Sequence, residues 1–183
     1  NETRPFSRCA ARMFDFLMVL VIVTLFAQPE GLQPNPELPF SEQIASYLEA
    51  VRSPEAEAYF RALIVAVLGW QLIEAYLIHQ FGMTPGKALF GIRVSKENGD
   101  RLSISRSLGR SFLAFILGAG FYQFPFILIG TAFSYFRLIA NRKPLWDQHL
   151  ASRVETTRMT PLRIVLAIGA FFALLMLQSL KTA

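Results

Sequence analysis

The amino-acid sequence predicts an all-α membrane protein. Its expected form is a small helical bundle with three or four hydrophobic segments, the third either a plain span or re-entrant, plus a short cytoplasmic β-hairpin. Three observations carry this reading. Of the 183 residues, 53% are hydrophobic and the mean hydropathy is +0.39. Only 17% are charged, where a soluble domain averages about 25%. The aromatic residues, 17 Phe, 5 Tyr and 2 Trp, are concentrated in long apolar runs.

The first run, Met13 to Ala27, is interrupted only by Asp15 and Thr24 and follows Arg4, Arg8 and Arg12. Extended back to Ala10, it is long enough to span a bilayer. A signal peptide would share the basic start, but the acid in its core and the bulky Leu25 and Phe26 argue against cleavage. Residues 28–58 are different, with Pro29, Pro34, Pro36 and Pro39 ahead of a short amphipathic pattern. Ser41 is the expected N-cap, and Ile44, Tyr47, Leu48 and Val51 share one helix face, which suits a helix lying on the membrane surface. Ser53, Pro54 and Glu55 combine an N-cap, a proline at the first helical position and an acid in the first turn. The second span is therefore expected from there to about Phe81.

Gly82 to Arg110 is basic and polar. Ile92 and Val94 alternate before Asn98-Gly99, and Leu102 and Ile104 alternate after it, which predicts a hairpin. Residues 111–140 are apolar but broken by Gly118, Gly120, Gln123 and Pro125. Pro161 to Leu180 is the last span. Residues 1–158 are thus read as one membrane domain and 159–183 as an additional C-terminal transmembrane helix.

Charge orients these pieces. Residues 28–58 carry Glu30, Glu37, Glu42, Glu49, Glu55 and Glu57 against Arg52, whereas 82–110 and 137–163 are both strongly basic. By the positive-inside tendency the N-terminus and both basic segments are cytoplasmic and loop 28–58 is external. One crossing by residues 111–140 would separate the basic segments. A helical pair bent near Gly120 to Pro125 would keep them together, and about 30 residues are too few for two full crossings. The alternative is a plain third span with a basic external loop.

Several function classes lose support here. Cys9 is the single cysteine, so no intrachain disulfide or multi-cysteine metal site can form. The pI near 9.7 has no groove-reading motif beside it, which argues against nucleic acid. Gly82-Met-Thr-Pro-Gly-Lys87 is one residue short of a P-loop and has Ala88 where a magnesium-binding hydroxyl belongs. His79 and His149 lack an acid or cysteine cluster, and no catalytic set stands out. No enzyme activity, cofactor or metal is expected.

Two acids within apolar runs remain as candidates. Asp15 lies one turn into the first span, with Arg8 and Arg12 on the same or a neighbouring face. Glu74 lies deep in the second span with Gln71 one turn before it. A carboxylate at that depth must be neutralised, paired with a cation or hydrated. Glu74 and Gln71 are therefore a candidate ion or proton site, or else a structural link to Tyr122 or Gln123.

Arg8-Cys-Ala-Ala-Arg-Met-Phe-Asp15, Thr84-Pro-Gly-Lys-Ala-Leu-Phe-Gly-Ile-Arg-Val94 and Leu145-Trp-Asp147-Gln-His-Leu-Ala151 together resemble the RDD family of small, mainly bacterial membrane proteins. The resemblance matches Arg8, Asp15 and Asp147 to the arginine and two aspartates that name the family. It marks Thr84, Gly86, Lys87, Gly91 and Arg93 as a cytoplasmic motif, and it implies the bacterial cytoplasmic membrane. Trp146 before Asp147 and Ser152-Arg153 after it depart from the family's usual His-Asp and Gly-Thr. Transport of unidentified ligands, and in some members cation/proton antiport, is the role the resemblance implies.

From these residues we expect Arg8 to bridge Asp15 and Asp147 as a clamp, and Lys87 and Arg93 to contact anionic lipid headgroups. Two functions follow as alternatives. One is transport of a small ligand or cation, in a proton-coupled or uncoupled form, with Glu74 as proton or cation carrier and a homo-oligomer or a dual-subunit assembly as the working form. The other is a membrane scaffold or regulatory subunit acting on a partner membrane protein.

Overall fold

The computed structural model describes residues 4–27, 38–118, 120, 126–140, 143–157 and 159–179. Helix α1 (Pro5–Ala27) has 23 residues and α3 (Pro54–Phe81) has 28, or about 34 and 42 Å at 1.5 Å per residue. Both are long and apolar enough to cross a membrane. Helix α3 starts where the local chemistry places it. Ser53 Oγ accepts the Ala56 N–H at 3.1 Å, Pro54 occupies the first turn, and Glu55 and Glu57 lie at the positive end of the helix. It stops at Gly82, whose φ of +74° turns the chain left-handed while its N–H bonds to the Ile78 carbonyl.

The bundle core forms where α1 and α3 cross. Val19, Val23, Val67 and Trp70 are buried together with Phe115, and Thr24 and Tyr59 hydroxyls meet at 3.3 Å near the far end. Between these helices, α2 (Phe40–Ala50) buries no residue, and Ile44, Tyr47 and Leu48 are all exposed. Its apolar face exists as expected, but Ser41 is not the cap. The helix opens after Pro39, and Ser41 falls within the first turn.

After α3 come the short helix α4 (Pro85–Leu89), strand β1 (Ile92–Lys96) and helix α5 (Ile104–Leu113), which continues into a π-helical turn at Ala114–Gly118. Next are α6 (Phe126–Ile139), α7 (Leu145–His149), β2 (Ser152–Thr156) and α8 (Pro161–Ser179). Helix α8 lies against α1, with the Phe14 and Phe171 rings 6.3 Å apart.

The expected hairpin is corrected. The Asn98-Gly99 turn is present, with Gly99 at φ +90° and Lys96 N–H on the Asp100 carbonyl. Its second arm is not a strand, because Ser103 caps α5 by accepting the Arg106 N–H, so Ile104 is helical. Leu102 is fully buried with Ile78 and Val94, and its carbonyl accepts a hydrogen bond from His79 Nδ1 at 2.7 Å. The partner of β1 is instead β2, antiparallel, with Ile92 opposite Thr156, Val94 opposite Val154 and Lys96 opposite Ser152. This pairing brings the two basic segments to one end of the bundle.

The apolar segment between them doubles back. Gly130 of α6 lies so close to the π-helical turn that a Cβ there would sit 3.1 Å from the Leu117 and Gly118 carbonyls. Residues 121–125, where the sequence places the bend, lie outside the described residues.

Candidate functional site

Where α4 meets α1 and α3, the Thr84-Pro-Gly-Lys turn builds a buried charge cluster. Thr84 is the N-cap of α4, its hydroxyl oxygen accepting the Lys87 N–H at 3.3 Å. That hydroxyl donates to Asp15 Oδ2 at 2.6 Å, while the Gly86 N–H donates to Asp15 Oδ1 at 2.7 Å. Both oxygens of an acid inside α1 are thus satisfied by one turn of backbone and its cap. Gly86 is needed for the approach, since a Cβ there would lie 2.2 Å from the Ala11 carbonyl oxygen. The Lys87 ammonium then reaches Glu74 Oε1 of α3 at 2.6 Å, with Asp15 Oδ2 at 3.9 Å and Thr84 Oγ1 at 3.3 Å. Three helices are tied by two carboxylates, one ammonium, one hydroxyl and one amide.

A second buried cluster surrounds Asp147 in α7. Its Oδ1 accepts from Arg110 Nε of α5 at 2.9 Å and from Ser152 Oγ of β2 at 2.6 Å. Its Oδ2 lies 3.8 Å from Arg8 Nη1 of α1. Arg8 also donates to the Val154 carbonyl at 3.5 Å, which anchors α1 to the sheet. Arg12 stacks its guanidinium over Trp146 at 5.2 Å and donates to the Ala114 carbonyl in the π-helical turn. Gly118 permits that stacking, because a Cβ there would strike Arg12 Nη1 and the Trp146 ring. A cavity of about 80 Å³ opens between the clusters, lined by Arg8, Arg12, Lys87, Arg110 and Asp147 among others.

The expected clamp is therefore split. Arg8 reaches Asp147, as proposed, but Asp15 belongs to the Thr84–Lys87 turn. Lys87, expected at the surface, is buried on Glu74, while Arg93 is exposed. Gly91, at φ +65°, accepts the Thr157 N–H and joins the end of β1 to the chain after β2. Gln71 is buried but its amide donates to the Val67 carbonyl of its own helix, 3.1 Å away. Tyr122 and Gln123, the alternative partners of Glu74, lie outside the described residues. Arg110 and Ser152 join the site although neither lies in the sequence motifs above. Arg110 shares a buried α5 face with Ser107 and Ser111, a polar i, i+3, i+4 pattern that marks it. Among the described residues no group of three or more His, Cys, Asp or Glu could hold a metal ion.

The fold and its clusters define a small helical protein with many exposed apolar side chains and, beside its apolar core, two buried clusters of paired charges. The sequence profile of the RDD family matches residues 3–150, and the chain belongs to that family. It is 25% identical over 115 residues to the uncharacterized protein YxaI of Bacillus subtilis (strain 168), an alignment covering 63% of this chain and 71% of that one. No solved structure matches it significantly.

Proposed function

We propose that this chain is an integral protein of the bacterial cytoplasmic membrane that takes part in moving a small ligand or cation, with proton coupling through Glu74. The observation that carries this is the Asp15–Lys87–Glu74 cluster. Ionisable groups inside membrane helices face the bundle interior or a polar cavity and commonly mark ion pathways. The Lys87 ammonium lies 2.6 Å from one carboxylate and 3.9 Å from the other. A proton or cation taken up at Glu74 releases the ammonium toward Asp15, and its loss draws the ammonium back. The test is proton flux in proteoliposomes under imposed sodium, potassium or lithium gradients. Flux that disappears in Glu74→Gln is the expected result; its absence in a folded, correctly inserted preparation would exclude cation/proton exchange.

The pairing of β1 with β2 supports a topology for this reading. Both basic segments lie on the cytoplasmic side with the N-terminus, residues 104–140 enter and return, and α1, α3 and α8 cross. The acidic loop before α3 is external. Single cysteines at Asn98 and Glu155 in a Cys9→Ser background are expected to label from the cytoplasmic side only, and one at Ser46 from the outside only. Labelling of Asn98 and Glu155 from opposite sides would rule the arrangement out.

A second reading has its own observation. Helix α2 buries no residue, and its apolar face of Ile44, Tyr47 and Leu48 is exposed. It suits an interfacial helix resting on lipid, or a contact with a second copy or another membrane protein in a scaffold or regulatory role. A preparation without flux would favour that role.

A further inference from the structure

The cavity between the two clusters has a chemistry that neither ion pairing nor packing accounts for. Its volume of about 80 Å³ is several times the roughly 10–15 Å³ needed for one water. Arg8, Arg12, Lys87 and Arg110 line it, whereas Asp147 is the carboxylate in its lining. Lys87 is matched by Glu74, and Arg8 and Arg110 share Asp147. Arg12 forms no salt bridge among the described residues: Glu74 feels its charge without contact, and its own contacts are the Ala114 carbonyl and the face of Trp146.

The donors are also incompletely used. Arg110 is 4% exposed, yet its Nη1 has no hydrogen-bond partner among the described protein groups, and the buried Nε of Arg8 has none there either. A buried donor left unpaired costs about 1–3 kcal/mol, more when charged, so native interiors seldom keep two in one place. Guanidinium groups are planar forks of N–H donors suited to the oxygens of a phosphate-type anion. Three of them from two helices converge here, with the Trp146 ring and Leu138 as apolar wall.

We propose that this cavity is a binding site for one phosphate-type oxyanion, held by Arg8, Arg12 and Arg110. Inorganic phosphate and the phosphodiester of an acidic lipid headgroup share the chemistry required. The assignment does not depend on transport, because it rests on the Asp147 side of the molecule and not on Glu74.

The test uses the purified full-length chain in an uncharged detergent, titrated with inorganic phosphate against chloride at constant ionic strength. Its unfolding temperature is the readout. In parallel, lipid retained by the chain from membranes containing phosphatidylglycerol is measured by mass spectrometry. A saturable rise in unfolding temperature, with apparent affinity weakened at least tenfold in Arg12→Gln, identifies a free oxyanion as ligand. No response to phosphate, but retained phosphatidylglycerol that is lost in Arg12→Gln, identifies a headgroup. Arg110→Lys keeps the charge and removes the fork, so it is expected to weaken binding and provides the check if Arg12→Gln does not fold. Lys143→Gln removes an exposed cation outside the cavity and is expected to change neither readout. Equal weakening by Lys143→Gln, or no saturable response together with unchanged lipid retention, would overturn the proposal.

Discussion

Replacing Gly86 with alanine is expected to destabilise the protein by roughly 3 kcal/mol, the upper end of ordinary overpacking costs. The added Cβ would stand 2.2 Å from the Ala11 carbonyl oxygen and 2.8 Å from Asp15 Oδ1. Ala11 is buried about two turns into α1, and a helix backbone cannot retreat as a side chain can. To relieve the clash α4 must lift away, which breaks the Gly86 and Thr84 hydrogen bonds to Asp15. Gly69 is the matched control, since nothing lies within 4 Å of its missing Cβ. There the same substitution is expected to be neutral or to stabilise by up to about 1 kcal/mol through helix propensity. Denaturant unfolding in detergent measures both, and equal effects at the two sites would discredit the close approach at Gly86.

Lys87→Met is expected to have the second large effect. It leaves Glu74 and Asp15 facing one another in a buried site without their ammonium. Removing one partner of a buried pair typically costs about 3–5 kcal/mol because the remaining charge is uncompensated. Neutralising that charge should recover part of the loss, so Lys87→Met with Glu74→Gln is expected to be more stable than Lys87→Met alone. The same unfolding measurement decides it. A double variant losing the full sum of the two single losses would mean that the 2.6 Å contact contributes little.

Much of the helical frame was legible because its signals are local. Ser53-Pro54 and Gly82 bound α3 through cap chemistry contained in a few residues. The sheet was not legible in this way. Leu102 and Ile104 alternate like a strand, but Ser103 between them starts a helix, and a buried Leu102 satisfies the alternation without pairing. The true partner, Ser152–Thr156, is brought to β1 by the return of the intervening apolar segment, which no short-range pattern encodes.

The site divides along the same line. Asp15, Glu74 and Asp147 stand out singly as acids in apolar or family-like surroundings. Their partners depend on how the chain turns after α3. Gly82 reverses the chain and Thr84 caps α4, and only that geometry swings Lys87 inward onto Glu74 rather than outward. Ser152 read as a departure from the family's pattern, yet it donates to Asp147 at 2.6 Å. In the sequence Arg110 is one more basic residue of a polar stretch, although its neighbours Ser107 and Ser111 mark a buried polar face.

Asp15 and Asp147 belong to two separate clusters, with Asp15 held by the Thr84–Lys87 turn. Double-mutant cycles on unfolding free energy test this directly. Asp15→Asn combined with Thr84→Val should be non-additive by about 1 kcal/mol or more, whereas Asp15→Asn combined with Asp147→Asn should add to within about 0.5 kcal/mol. Strong coupling between the two aspartates, with additivity between Asp15 and Thr84, would contradict the account and restore a single arginine-bridged clamp.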